Sequence, residues 1–242
     1  MNTATSGLLG QNRIARAIDR RIQQRYHRFV FWRAMRRFMR SPWSESGSID
    51  HGILSELVQG WGNRWSAQHE YLGACLEHAR DAGGPILECG SGLSTILLGV
   101  VAQASGNSVW SLEHEPKYAV KVQHYLEKYR LTSVKLCVAP LSAYDEFDWY
   151  TPPRFDQIPE KFSLVVCDGP PCTTRGGRYG LVPVMLEKLG ADCTILLDDG
   201  ARAGEQDTAA RWAKLLGCVP ETIGTEKPYI CLKASRPVPH VI

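Results

Sequence analysis

The chain has 242 residues, 44% of them hydrophobic and 22% charged, with a formal net charge of +3; that suits one α/β domain with an extension and a sizeable buried core. No run of roughly 18 apolar residues occurs, and Arg13 and Arg16 interrupt the N-terminus early, so neither a spanning helix nor a signal peptide is expected, and a cytoplasmic location is. The charge is uneven: residues 1–41 hold ten arginines against Asp19 alone, giving +9 and leaving −6 for the remainder.

Along residues 12–40, Ile14, Ile18, Ile22, Tyr26, Phe29 and Val30 recur close to helical spacing with arginines between them, and Phe31, Trp32, Met35, Phe38 and Met39 extend the apolar surface. Ser41-Pro42 is a stop signal, because a residue before proline avoids the helical region. Residues 42–50 read as a linker, so the chain is expected to divide into a basic helical arm with its linker, 1–50, and a domain, 51–242. Residues 51–60 and 66–80 read as helices, with Ser66 as the N-cap of the second.

A regular alternation follows: strand Ile86–Glu88, helix 93–104, strand Val109–Glu113, helix 116–129 opened by Pro116, and strand Val134–Val138. Residues 140–160 read as an aromatic loop whose prolines prevent long regular structure. Strand Phe162–Asp168, a helix over roughly 180–189, strand Cys193–Asp198 and helix 203–216 come next. Two last strands near 218–223 and 229–234 have no helix between them, only a short connection that begins Gly224-Thr225-Glu226-Lys227. This order predicts a Rossmann-like, doubly wound, mainly parallel seven-stranded sheet whose hairpin makes the last strand antiparallel, plus the N-terminal helical extension. Eight cysteines lie scattered without CxxC spacing and are expected as reduced thiols, mostly in the core.

Four blocks carry chemistry. In ILECGSGLST (86–95) an apolar strand runs through Glu88 into Gly90 and Gly92 and then a helix, so the backbone can turn tightly and approach a ligand beside free helix N–H groups. A dinucleotide fingerprint wants a third small residue where Thr95 stands. Glu113, 21 residues after Gly92, ends the second strand and can accept hydrogen bonds from ribose hydroxyls, whether of a nicotinamide or an adenosyl cofactor. Glu115, just before Pro116, reads as a solvated helix-start carboxylate. Asp168 in FSLVVCDGPP, and Asp198 and Asp199 in TILLDDGAR, fall at strand ends facing the same crevice.

The E-x-G-x-G turn resembles motif I of class I S-adenosylmethionine (SAM)-dependent methyltransferases, and Asp168 resembles their motif IV acid. Together with the Trp61/Trp65 region, SLEHEP, DGPP and LLDD-x-AR, the blocks over residues 61–234 resemble a bacterial methyltransferase 24-type group. The resemblance implies SAM as cofactor, bound by Glu88, Gly90, Ser91, Gly92, Glu113 and Asp168, and a methyl transfer in which Asp168 and Asp199 act as base or orienting acid. Paired acids suit a hydroxyl, so O-methylation of a small-molecule or saccharide-type acceptor is expected. No metal is expected, because Gly200 stands where metal-dependent catechol-type O-methyltransferases have an asparagine ligand.

Arg175, Arg178 and Tyr179 in PCTTRGGRYG border the crevice and are the substrate-side candidates, able to clamp an anion; salt bridges to Asp198 and Asp199 are the other reading of the arginines. Tyr144, Phe147, Trp149 and Tyr150 either form a lid or pack their loop down. Two alternatives come from other classes: an NAD(P)-dependent oxidoreductase, which Thr95 and the terminal hairpin oppose, and a catalytically idle Rossmann domain with a membrane-binding arm. For the arm, an anionic membrane surface through residues 12–40, peripheral to its inner face, competes with packing on the domain or on a second subunit of a homo-oligomer. Nucleic acid is the least expected partner.

Overall fold

The computed structural model describes residues 4–63, 67–151, 153 and 156–234, with side chains from residue 21 onward. Trp65 and Ser66, and the side chains of Ile14 and Ile18, therefore lie outside the described residues. The chain divides into two compact units, Met1–Ser66 and Ala67–Ile242.

The first unit is a pair of helices, α1 (Ala4–Phe38) and α2 (His51–Trp61). Asp50 caps α2 by accepting the Ile53 N–H at 3.0 Å, and Gly62 closes it. Phe31, Met35 and Phe38 of α1 and Leu54, Leu57 and Trp61 of α2 are buried, with the Phe31 and Trp61 rings 5.6 Å apart. A Cβ on Gly60 would lie 2.5 Å from the Phe31 backbone nitrogen, so glycine is what lets the helices come this close. Arg33 and Arg37 each reach Glu56 at 3.0 Å. In this unit the apolar face of α2 is spent on α1.

In the second unit α3 (His69–Asp81), β1 (Ile86–Cys89), α4 (Leu93–Ser105), β2 (Val109–Glu113), α5 (Pro116–Tyr129) and β3 (Val134–Val138) follow in order. Gln68 stands at the N-cap of α3. A short antiparallel hairpin, β4 (Leu141–Ala143) and β5 (Asp148–Tyr150), interrupts the expected loop. Then come β6 (Phe162–Cys167), α6 (Leu181–Met185) with a 3-10 turn over Leu186–Lys188, β7 (Leu189–Leu197), α7 (Ala203–Leu216), β8 (Glu221–Ile223) and β9 (Tyr229–Lys233).

The seven-stranded sheet has the order β3-β2-β1-β6-β7-β9-β8. Strands β3, β2, β1, β6 and β7 are parallel, while β9 runs antiparallel to both β7 and β8. The central β1 and β6 are almost wholly buried, as their unbroken apolar runs require of a parallel sheet covered on both faces. Leu87, Val165, Ile195 and Leu232 share one core cluster with Trp149, Met185 and Trp212. Tyr71 of α3 donates its hydroxyl proton to the Leu196 carbonyl at 3.0 Å, tying α3 to β7. Among the described residues no helix is long and apolar enough to cross a membrane. All eight cysteines are free thiols, five of them buried and only Cys172 exposed.

Candidate functional site

Parallel strands end together, so Cys89, Glu113, Cys167 and Leu197 bring their following loops to one edge of the sheet. Glu88, fully buried, accepts hydrogen bonds at Oε2 from Thr95 Oγ1 (2.7 Å) and Ser111 Oγ (2.5 Å). The Gly92 N–H in turn donates to Thr95 Oγ1 at 2.8 Å. Burial pushes the Glu88 carboxyl up to about 7, against the pull of the Ser111, Ser94 and Thr95 hydrogen bonds. Thr95, the misfit in a dinucleotide fingerprint, is thus the link through which Glu88 shapes the glycine turn.

Glu113 holds the same turn from the neighbouring strand. Its Oε2 accepts the Ser91 N–H (3.1 Å) and Ser91 Oγ–H (2.6 Å), and its Oε1 accepts the Glu115 N–H at 2.8 Å. Glu115 is exposed and caps α5 through the Lys117 N–H. The two glycines do different things. Gly90 sits at φ +92°, and a Cβ there would lie 2.9 Å from the Gly169 nitrogen, so it lets the β1 and β6 loops touch. A Cβ on Gly92 would meet only Tyr118 Oη at 3.7 Å, which leaves room for a ligand against its backbone.

Beyond β6 and β7 four carboxylates, Asp168, Asp198, Asp199 and Glu205, face three cations, Arg178, Arg202 and Lys227. Arg178, 4% exposed, is the centre. One of its terminal nitrogens lies 3.0 Å from both Asp168 Oδ1 and Asp199 Oδ2, and the other donates to the Asp198 carbonyl at 2.8 Å. Lys227 Nζ lies 2.7 Å from Asp198 Oδ2 and 3.1 Å from Asp199 Oδ1, and Arg202 lies 2.6 Å from Asp199. Burial and the nearby Asp198 raise the Asp168 carboxyl well above the usual range, against Arg178 and Lys227. At Asp199 burial pushes upward, but Arg178, Lys227 and Arg202 outweigh it and the carboxyl is lowered. Asp199 also adopts φ 60°, a left-handed geometry that aspartate tolerates better than most residues.

Oxygens of Asp168, Asp198 and Asp199 lie within 4.8 Å of one another, near enough to share a metal ion. Lys227 and Arg178 put their charges among them instead. Gly200 has a packing reason to be glycine: its N–H donates to the Pro228 carbonyl at 2.6 Å, and a Cβ would lie 2.9 Å from both the Tyr229 carbonyl carbon and Ile230 Cγ1.

The substrate-side candidates are divided. Arg178 is buried in the carboxylate cluster. Arg175 donates to the Tyr144, Asp145 and Phe147 carbonyls and to Asp148, stapling the β4–β5 turn. Tyr179 is half-buried, edge-on to Phe147 at 5.4 Å, with the Arg211 guanidinium 3.4 Å above its ring. Trp149 and Tyr150 are fully buried and Phe147 nearly so, with Tyr144 stacked on Phe147 at 5.0 Å, so these aromatics pack their segment down rather than form a lid.

Lys227 and Ser111, which sequence reasoning passed over, join the candidate site, as do Thr95 and Tyr150, which it read only as a fingerprint mismatch and a lid or packing aromatic. For Thr95 a signal existed, since a hydroxyl three residues after a helix-opening glycine can cap that helix. For Lys227 none did, because its place depends on β9 pairing with β7. Several buried polar atoms at this edge have no hydrogen-bond partner among the described residues: Glu88 Oε1, Tyr150 Oη, Asp198 Oδ1 and Arg178 Nε. Unsatisfied groups gathered at strand ends around an open glycine turn fit a site that receives a polar ligand.

No family model and no curated protein sequence matches the chain. Solved structures do resemble it. A precorrin-6y C5,15-methyltransferase from Geobacter metallireducens matches with TM-score 0.55 and 15% identity over 72% of this chain and 92% of that one. The SAH-bound methyltransferase PaMTH1 of Podospora anserina matches with TM-score 0.54 and 18% identity over 70% and 80%. An O-methyltransferase from Bacillus cereus in complex with SAH matches with TM-score 0.51 and 16% identity over 70% and 82%. At these identities the likeness establishes the fold, the Rossmann-like fold of these methyltransferases.

Proposed function

We propose that the chain is a SAM-dependent methyltransferase of the methyltransferase 24-type group that methylates a hydroxyl of a small-molecule or saccharide-type acceptor. The observation that carries this reading is the glycine turn at 90–92, gripped by Glu88 through Thr95 and by Glu113 through Ser91, on a sheet with an antiparallel last strand. When bound, SAM supplies a methyl group activated on a sulfonium. Gly92 leaves space for it, Ser91 and Glu113 would hold its ribose, and Glu88 keeps the turn in shape. A carboxylate oxygen has lone pairs beyond those Glu113 already uses.

Asp168 is the better-placed base for an acceptor hydroxyl, being raised above the usual carboxylate range by burial and partly open, with 22% of its side chain exposed. Asp199, lowered and held by three cations, suits an orienting role. Binding isotherms and melting curves with SAM, S-adenosylhomocysteine and NAD test the reading. S-adenosylhomocysteine should bind in the micromolar range and raise the melting temperature. Gly92→Val, which fills the open side of the turn without meeting backbone, should abolish both. A response to NAD alone would overturn the proposal.

A further inference from the structure

Helix α1 is apolar on two opposite faces. Phe31, Ala34, Met35 and Phe38 are buried in the first unit, but Ile22, Tyr26, Phe29, Trp32 and Met39 are between 43% and 60% exposed. Ile22, Tyr26 and Phe29 follow one another by four and three residues and so form one line along the helix. Phe29 and Trp32 ring centroids lie 6.2 Å apart, and the Arg36 guanidinium covers Trp32 at 4.9 Å. Arg25, Arg28, Arg36 and Arg40 are exposed among these side chains, whereas Arg33 and Arg37 are engaged by Glu56.

We propose that this outer face of α1 docks on an anionic membrane surface, lying in its plane. Five large apolar side chains interleaved with guanidinium groups need an environment that is apolar and negatively charged within a few ångströms of depth. A bilayer interface offers both, with acyl chains for Ile22, Phe29 and Trp32 and phosphates for the arginines. Long arginine stems let the charge reach the head groups while the aromatic bodies stay lower. Charge selects this occupant over the same face of a second copy of the chain. Residues 1–41 hold ten arginines against one acid, so two such faces would set arginine against arginine. Nucleic acid would match the charge but leave the aromatic line in water.

The test is co-sedimentation of the full chain with vesicles of phosphatidylcholine alone and of phosphatidylcholine mixed with phosphatidylglycerol. Two variants are compared, Phe29→Ser with Trp32→Ser, and Arg25→Gln with Arg28→Gln; both change only exposed side chains, and melting curves confirm the fold. The wild type should sediment with the mixed vesicles, be released by salt, and stay in solution with phosphatidylcholine alone. Each variant should lose about tenfold or more of its partitioning. Equal sedimentation of wild type and variants, equal sedimentation on neutral vesicles, or none on either overturns the proposal. So does a mass measurement in which Phe29→Ser with Trp32→Ser turns a dimer into a monomer, which would assign the face to a second copy.

Discussion

Glu88 shows how a buried carboxyl can organise a turn at a cost that depends on pH. Its carboxyl is raised from an ordinary 4.5 to about 7. Between those values the folded chain holds a proton that the unfolded chain has released. The stabilisation from that proton is therefore complete below about 4.5 and is lost as pH rises toward 7, on the order of 3 kcal/mol. Glu88→Gln keeps an oxygen for Thr95 and Ser111 and has no proton to lose. Urea unfolding at about pH 5 and about pH 8 should show a larger loss of stability with rising pH in the wild type than in the variant; equal losses would mean that Glu88 does not titrate there. Arg178 has the opposite character. It stays charged because Asp168, Asp199 and Asp198 outweigh its burial. Arg178→Met leaves Asp168 without its ion-pair partner and should cost about 3–5 kcal/mol, the loss typical of breaking a buried ion pair, read from denaturant midpoints. Glu88 and Glu113 were legible as site residues because a strand end beside glycines marks itself locally. Their partners Thr95, Ser111 and Ser91 belong to a network that only assembled strands complete.

The β8–β9 hairpin changes the chemistry of the edge that receives it. By inserting beside β7, with Leu197 opposite Ile230, it delivers Lys227 to Asp198 and Asp199. This ammonium joins Arg178 and Arg202 in offsetting the carboxylates without an added ion. Cofactor binding should accordingly survive a chelator, and magnesium should leave the melting temperature of the wild type unchanged. Lys227→Met removes the internal cation and leaves hard oxygen ligands, so this variant should gain a magnesium-dependent rise in melting temperature. A magnesium response in the wild type, with none gained on substitution, would show that the lysine does not fill that role. The β4–β5 hairpin teaches a related point. Its aromatic residues read equally well as a lid or as packing, and burial of Trp149 and Tyr150 decides for packing.

The chain forms two compact units, and its basic excess lies in the first. The first has its own core, in which Phe38 is fully buried. Phe38→Ala should destabilise that unit by about 3–5 kcal/mol while leaving S-adenosylhomocysteine affinity unchanged, as melting followed alongside binding would reveal. A parallel loss of affinity would mean that the units are coupled.

What the sequence by itself determined is what neighbouring residues can specify: the strand–helix alternation, read from apolar periodicity, and the glycine turn flanked by acids at strand ends. The terminal hairpin belongs here too, since only five residues, 224–228, separate its strands in the reading. Tertiary structure alone decided which groups meet across the chain. Lys227 and Asp198 are 29 positions apart, and Tyr71 and Leu196 are 125 apart. It also decided which face of α1 is spent on α2. The arm's apolar residues read as one continuous surface, yet Val30 is buried while Phe29 beside it is exposed. Periodicity reports that a helix has an apolar side; only the packing of a partner helix distinguishes the side that is covered from the side left to meet something else.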